Sequence, residues 1–557
     1  MFMSYSYYEY IEVPGAKLFT QAHVPEKGKK YPTILWRGPY ADSQLTMTEE
    51  EILDAGAAQQ KSSCDAGYAV VLGTCRGRGK STGECIPFIY EREDSLAVQE
   101  WIRKQDFYNG EIYLAGGSYG ASVHHVTSPF APDIKGAVLN INDPERYNSM
   151  YRNGFFKSGL HGRWYINSMY KKNTMPVKNY VDDCFNILPL TKFTESVLGE
   201  KAPDFDEALL HPDRDDPFWK TRYGGGETHD SIKHANIPIL IETRFYDLYT
   251  GGIFDTWFGL DEQTRNKSAL VVSPYDHSGT PKNQPIDFGG GVIREDFGNT
   301  TLKWFNYIRG VGESPFEIGK VTYFPPFGNK WLTDDFKTPE KHLTFTVGEG
   351  ERTYRYNPYA PASFKGGLSS NFSGSKFQDK PNSRYDILTY YTPEFEEDTF
   401  IKGKMSAKLT VRSTCEDTCF YIRLSLTKEA GDFGLRDDIN QISNFDKEYK
   451  PGDEIEMTFS FDEHAFLIKK GERIRIDISS SANPWYVRHT NNRGLYSIQT
   501  EAKIADNTVI LERSTLTVPV EDMPKELLFR DPVSVKDAAS ADTVTGKTLA
   551  SEQLPST

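Results

Sequence analysis

Residues 111–126 read "EIYLAGGSYGASVHHV", an apolar run that breaks into three glycines around one serine, Ser118. A strand that feeds a glycine-flanked turn and then a helix is the signature of a nucleophile elbow. Here "IYLA" supplies the strand, Gly116 and Gly120 the flanks, and "ASVHHV" the start of the helix. The bare pattern G-x-S-x-G is weak, since a chain of this length and average composition contains it by chance on the order of a few tenths of a time. The context carries the reading. Such a turn lifts the hydroxyl to the carboxyl edge of a sheet, beside helix N–H groups that have no partner in their own helix. Ser118 is read as a nucleophile, not as a small residue in a turn.

The flanking sequence puts this elbow in an α/β fold. "PTILW" (32–36), "YAVVLG" (68–73), "IYLA" (112–115) and "AVLNIN" (137–142) are short apolar runs of the kind buried in parallel sheets, and "IPILIE" (237–242) and "ALVVS" (269–273) continue the style. Between the first two runs, Thr48 and Glu51 have the spacing of a capping box. Between the next two, "SLAVQEWIRKQ" sets Val98, Trp101 and Ile102 on one helical face. Strands that alternate with helices predict a mostly parallel sheet. Residues 143–235, rich in Tyr, Trp, Asn and Lys, interrupt the alternation and are expected to form a cap over the sheet edge. From about residue 340 the period becomes two. "KMSAKLTVR", "CFYIRLSLT", "EIEMTFSF" and "RIRIDI" read as half-buried strands of an antiparallel sandwich. The expected division is a core first part (1–142), a cap (143–235), a core second part (236–339), a β domain (340–535) and a polar tail (536–557).

Bulk composition narrows the function. A chain of 557 residues predicts more than one domain, and 13% aromatic content leaves room for aromatic-lined pockets. A net charge of −14 argues against a nucleic-acid binder or an anionic membrane as partner. The N-terminus lacks the basic and apolar segments of a secretory signal, and no run approaches a membrane span, so a cytoplasmic location is expected. The six cysteines show no metal-site spacing and are read as reduced thiols. Cys415 and Cys419 could bridge on a turn but not along a strand, where four residues span about 13 Å.

A serine nucleophile needs a base held by an acid, in the chain order Ser, Asp or Glu, His for this fold type. Elimination among the eleven histidines leaves one. His23 precedes the serine, and His124 and His125 lie on the helix leaving the elbow. His161, His211, His229 and His234 fall in or beside the cap, and His342, His464 and His489 in the β-rich part. His277 remains, four residues after a buried strand ends. Asp247, at the end of "IPILIETRFYD" and thirty residues earlier, is about one βα unit away and is the candidate acid. Asp276 adjoins the histidine and is poorly placed to orient its ring. "GTCRGRGKS" (73–81) looks like a phosphate loop but misses the required spacing, so Arg76 and Arg78 are expected to form ion pairs instead.

With Ser118, Asp247 and His277 in place, the chain resembles the cocaine esterase/X-prolyl dipeptidyl-peptidase family of serine hydrolases. The matching stretches are "WRGPYADS" (36–43), "TCRGRGKSTGE" (74–84), "GGSYGASV" (116–123), "FYDLYTGG" (245–252) and "SPYDHSG" (273–279). In the β-rich part "IKGKMSAKLTV", "FLIKKGERIRIDISSS" and "NPWYVRHTNN" also match. The resemblance implies an α/β-hydrolase core, an inserted helical cap and a C-terminal jelly roll. It also implies an oxyanion hole made of the Tyr40 hydroxyl and the Tyr119 backbone N–H. Three departures stand out. Thr74 occupies a position where the family often has Asp. Tyr249 and Thr250 stand where the α-amino-acid ester hydrolase branch has carboxylates for a substrate ammonium, although Asp182 or Asp183 of the cap could substitute. The helical N-terminal domain of the dipeptidyl-peptidase branch is not expected here.

The expected function is hydrolysis of a small ester, or of an amide, through an acyl-enzyme. No metal or organic cofactor is required. The pocket is expected between core, cap and β domain, with Trp164 and Tyr249 as candidate aromatic walls. The rivals are an aminopeptidase that releases X-Pro dipeptides, and a binding protein with a vestigial hydrolase core. The substrate partner is a small ester or short peptide. The oligomeric state stays open, a homodimer among the choices.

Overall fold

Apolar runs dense in Val, Ile and Leu cannot face water on either side, and they occupy the middle of a sheet covered on both faces. In the computed structural model, which describes residues 5–127, 131–170, 186–221, 231–280, 285–292, 298–368 and 374–528, Ile34, Leu35, Val70, Val71, Leu114, Val138, Leu240 and Leu270 are all buried. Cys184, His229, Asp182, Asp183 and the polar tail lie outside the described residues.

Ten described strands make this sheet: β1 (Tyr5–Val13), β2 (Ala16–Val24), β3 (Tyr31–Gly38), β4 (Ala69–Thr74), β5 (Tyr108–Gly117), β6 (Ile134–Asn140), β7 (Ile239–Tyr246), β8 (Ala269–Asp276), β9 (Val321–Tyr323) and β10 (Leu332–Asp334). Their order is β1-β2-β4-β3-β5-β6-β7-β8-β9-β10. The run from β4 through β9 is parallel, and an antiparallel strand or hairpin finishes each edge. The β1–β2 hairpin turns at Pro14-Gly15, with Gly15 at φ +79°.

The helices follow their sequence signals. Helix α1 (Glu49–Gln59) has the full capping box, with Glu51 N–H donating to Thr48 Oγ1 at 3.2 Å and Thr48 N–H to Glu51 Oε2 at 2.8 Å. Helix α2 (Glu91–Arg103) buries Val98 and Ile102, while Trp101 stays at the rim and donates to Glu9 at 2.8 Å. The first turn of α2 also carries a buried ion cluster. Arg37 of β3 donates to Glu91 at 3.0 Å, and Arg76 forks onto Asp94 at 3.1 and 2.6 Å. Arg78 pairs with Asp42 at 2.7 Å. Thr74 bonds to Gln44 at 3.2 Å, and Arg76 and Arg78 take their acids from Asp94 and Asp42, not from position 74.

Over the carboxyl edge of the sheet lies the inserted segment, built of short pieces. Among its described residues are a helix at Arg146–Met150, a two-rung hairpin at Tyr151–Arg152 and Phe155–Phe156, π-helical turns at Ser158–Gly162 and Tyr165–Met169, and helices at Phe193–Leu198 and Pro203–Ala208. Tyr147, Tyr151, Phe156, Phe205 and Trp219 fill its interior with ring-on-ring contacts.

The C-terminal region is an all-antiparallel β domain of two sheets. One contains Ile455–Ser460, Ser406–Ser413, Ala505–Glu521, Thr399–Gly403 and His464–Ile468, and His342–Thr346 and Glu351–Tyr356 also pair with Ala505–Glu521. The other runs Leu388–Tyr391, Ile474–Ser479, Cys419–Lys428, Gly431–Gln441. Ile455–Ser460 alternates buried and exposed residues as its period implies, but the second sheet corrects the half-buried reading. Cys419–Lys428 and Ile474–Ser479 are buried on both faces, including Arg423, Arg475 and Asp477. The face that alternation assigns to solvent packs against other parts of the chain. Cys415 and Cys419 are separate thiols, Cys419 opening a strand.

Cap and β domain meet through charge. Arg152 reaches Asp438 at 2.6 Å, Asp462 at 2.7 Å and the Ser460 carbonyl at 2.7 Å. Removing one partner of a buried pair strands the other charges. Arg152→Ala is expected to lower stability by about 3–5 kcal/mol, read as an earlier midpoint in denaturant unfolding. Replacement of an exposed cation such as Lys503 is expected to shift that midpoint by less than about 1 kcal/mol.

Candidate active site

Strand β5 ends at Gly117, and the chain must reverse into helix α3 (Tyr119–His125) within one residue. That residue is Ser118, at φ +52° and ψ −127°, a conformation most side chains avoid. Gly116 makes the reversal possible. A Cβ there would sit 2.1 Å from the Gly120 carbonyl oxygen. Gly120 in turn passes the Arg37 carbonyl at a distance where its own Cβ would lie 3.1 Å away. Tyr119 is the first residue of α3, so its amide N–H has no acceptor within the helix. The phenol of Tyr119 is held elsewhere, donating to Glu91 at 2.8 Å and accepting from Phe88 N–H at 2.8 Å.

The next strands deliver the partners. Asp247 follows β7 and is buried, with Oδ1 accepting from Tyr249 N–H at 2.8 Å. His277 follows β8, whose register shifts between Ser273 and Asp276. The structure brings all three residues together: His277 Nδ1 lies 2.8 Å from Asp247 Oδ2, and Nε2 lies 3.1 Å from Ser118 Oγ. Asp276 is occupied otherwise, accepting from Ser278 N–H at 3.0 Å and from its hydroxyl at 2.6 Å. Arg244 donates to the His277 carbonyl and packs so closely on Gly279 that a Cβ there would meet its guanidinium at 2.6 Å. The β domain reaches this region too. Buried Arg436 donates to the Phe245 carbonyl, two residues before Asp247, and to the Glu463 carbonyl at 2.6 Å.

Tyr40 stands beside the serine in the same cavity. Half of its side chain is exposed, but the hydroxyl end is enclosed, accepting from Trp164 Nε1 at 3.1 Å and interacting with Ser118. Burial raises its pKa, so the phenol keeps its proton and can donate. Ser118, Tyr119 and Tyr40 open into a narrow cavity whose other lining residues are Phe88, Ser122, Asn142, Ser149, Leu160, His161, Trp164 and Tyr249. Phe88 stacks on Tyr119 with centroids 4.7 Å apart, and Trp164 stacks on Tyr119 at 5.9 Å. Tyr249 meets His277 edge-on at 5.8 Å.

Trp164 and Tyr249 therefore line the cavity. Its described lining comes from core and cap alone, which corrects the expected third wall. The β domain stands behind the cap instead, with Trp485 against Gly159 and the Pro484 carbonyl accepting from Ser158 at 2.6 Å. Phe88, Asn142, Ser149, Leu160 and His161 were not legible in the sequence as lining. Phe88 sits on a loop without periodicity, and His161 carried no mark beyond its residue type. Among the described residues no group of three or more His, Cys, Asp or Glu is placed to hold a metal ion. A hydroxyl within hydrogen-bond reach of an imidazole that a buried carboxylate orients is an arrangement able to perform acyl transfer.

Known proteins share this architecture. The model of the X-Pro dipeptidyl-peptidase (S15) family matches residues 14–279, and that of the X-Pro dipeptidyl-peptidase C-terminal non-catalytic domain matches residues 319–515. A cocaine esterase from Rhodococcus sp. (strain MB1 Bresler) is 24% identical, over 88% of this chain and 94% of its own. An aminopeptidase from a marine sediment Thaumarchaeota archaeon superposes with a TM-score of 0.76 at 17% identity, covering 94% of this chain and 97% of its own. An α-amino acid ester hydrolase gives 0.76 at 17% identity, covering 93% and 97%. The two structures establish the likeness of fold.

The elbow makes a backbone prediction. Gly116→Ala drives a methyl into the main chain of α3 and is expected to cost at least about 1–3 kcal/mol. Gly117→Ala, whose nearest atoms would lie 3.9 Å away, meets ordinary contact. Denaturant unfolding of the two variants should separate them, and equal stability would contradict the close approach.

Proposed function

The chain belongs to the X-Pro dipeptidyl-peptidase (S15) family and is a serine hydrolase, and we propose that it cleaves a small ester by acyl transfer from Ser118 to water. The observation that carries this reading is the continuous hydrogen-bonded line from Asp247 through His277 to Ser118, at 2.8 and 3.1 Å. His277 Nε2 takes the hydroxyl proton as Ser118 Oγ attacks the acyl carbon. Asp247 holds the proton on Nδ1, which fixes the tautomer and stabilises the imidazolium. The Tyr40 hydroxyl and the Tyr119 N–H receive the oxyanion, each donor being worth about 3–4 kcal/mol to the transition state. The imidazolium protonates the leaving alcohol, and a water activated by the same imidazole then releases the acid.

Ester hydrolysis is favoured over removal of an N-terminal dipeptide by the chemistry of the cavity. No carboxylate lines it among the described residues, so nothing there is built to pair with a substrate ammonium. The name of the cocaine esterase relative supports the same choice. Thr250, at a position the ester-hydrolase branch gives to an acid, spends its hydroxyl on the Arg244 and Asp247 carbonyls at 2.7 and 2.6 Å.

Ser118→Ala is expected to lower kcat for a p-nitrophenyl ester by about 10⁶. Asp247→Asn, which leaves the imidazole in the wrong tautomer, should lower it by about 10⁴. Retention of most ester hydrolysis in the serine variant sinks the mechanism. A strong preference for an X-Pro-p-nitroanilide over p-nitrophenyl esters would transfer the assignment to a dipeptidyl-peptidase.

A further inference from the structure

Beyond the serine, the cap presents two polar side chains that the hydrolytic steps do not use. Arg146 is 7% exposed, and its Nε is fully enclosed without an acceptor. Among the described residues its guanidinium forms neither a hydrogen bond nor an ion pair within 4 Å. The guanidinium carbon lies 5.5 Å from the ring centroid of Phe88, a residue of the cavity wall. The acid it interacts with, Asp204, accepts instead from the Tyr165 hydroxyl at 3.2 and 3.4 Å.

His161 lines the cavity and is 3% exposed, with no hydrogen-bond partner among the described residues. Burial, then the charges of Arg146 and Lys157, push its pKa well below the ordinary value. The ring is therefore neutral and offers one N–H donor. Lys157 is also buried, donating to the Asn148 carbonyl at 2.7 Å. Two buried cations thus stand near this side of the cavity, Arg146 facing Asp204 and Lys157 facing Asp462, Asp143 and Asp437, and the His161 N–H and the Arg146 guanidinium are unspent donors. The nearby Tyr119 phenol already has its acid in Glu91. A guanidinium withdrawn from water with its one interacting acid, Asp204, beyond ion-pair distance is unfavourable, and its planar fork matches a carboxylate in shape and sign.

Building on the ester-hydrolase reading, we propose that the cap end of the cavity receives a carboxylate of the substrate, with Arg146 as its counter-ion and His161 as a second donor. The substrate class is then an acid ester, neutral at the scissile bond and negatively charged at its far end. Phe88 and Trp164 would flank the apolar link between the two.

Two matched pairs of esters test this. Mono-p-nitrophenyl glutarate is compared with p-nitrophenyl valerate, and 4-carboxyphenyl butyrate with 4-acetylphenyl butyrate, each kcat/KM taken relative to the spontaneous hydrolysis rate. In at least one pair the charged ester should be preferred by about tenfold or more. That preference should collapse in Arg146→Met and survive in part in Arg146→Lys. Equal or poorer turnover of the charged ester in both pairs, or a preference that persists in Arg146→Met, overturns the proposal. Should Arg146→Met fail to fold, the wild-type ratios decide. Turnover of the neutral esters without a charge preference sinks the carboxylate site alone. The hydrolase reading itself falls if no ester is turned over and a fluorophosphonate leaves Ser118 unlabelled.

Discussion

One backbone reversal governs this molecule. At Ser118 the chain leaves β5 and enters α3 in a conformation that costs on the order of 1–3 kcal/mol, and only a bare Cα at Gly116 lets the two segments pass. The strain is held by packing on every side. Ser118 N–H donates to the Asn140 carbonyl of β6 at 2.9 Å, and the following tyrosine is tied through Glu91 to Arg37 of β3. The same geometry that strains the serine sets its oxygen 3.1 Å from His277 Nε2 and leaves the first amide of α3, that of Tyr119, without an acceptor in the helix. The serine hydroxyl and the amide proposed to receive the oxyanion are both set by a single turn.

What completes the site comes from farther away. β7 and β8 are adjacent parallel strands, so the loops at their carboxyl ends emerge side by side next to the elbow. Asp247 and His277 need only short loops to meet. The β domain adds support without lining the cavity: Arg436 fastens the end of β7, and His464 packs against Phe245 and Tyr246 with ring centroids 4.9 and 5.2 Å apart. A domain that performs no chemistry can thereby fix the angle at which the acid is presented.

The cap sets the character of the cavity. It brings an aromatic wall through Trp164 and a neutral imidazole through His161, and it sets Arg146 against the Phe88 ring. Its helices are short because its sequence lacks sustained periodicity, and its structure rests on ring stacking and on the Arg152 charge cluster shared with the β domain. The chemistry of the core and the selectivity of the cap are therefore carried by different kinds of contact.

The amino-acid sequence by itself determined the elbow, the parallel strands, the capping box of α1 and the identity of three residues capable of acyl transfer. The elbow and the capping box are local patterns, in which spacing along the chain tracks spacing in space, whereas Asp247 and His277 were reached by chain order and elimination and only the fold brings them to Ser118. The β1–β2 hairpin was also local, marked by Pro14-Gly15, but its strand is aromatic and polar and does not read as buried. Tertiary structure alone decided which faces of Cys419–Lys428 and Ile474–Ser479 see water, because alternation tells two faces apart without telling what covers them. It also decided that Phe88 and His161, distant in sequence from each other and from Ser118, line one cavity with it, and that Arg146 packs on the Phe88 ring. Proximity across a cap is set by how its irregular segments pack, and no period in the chain encodes it.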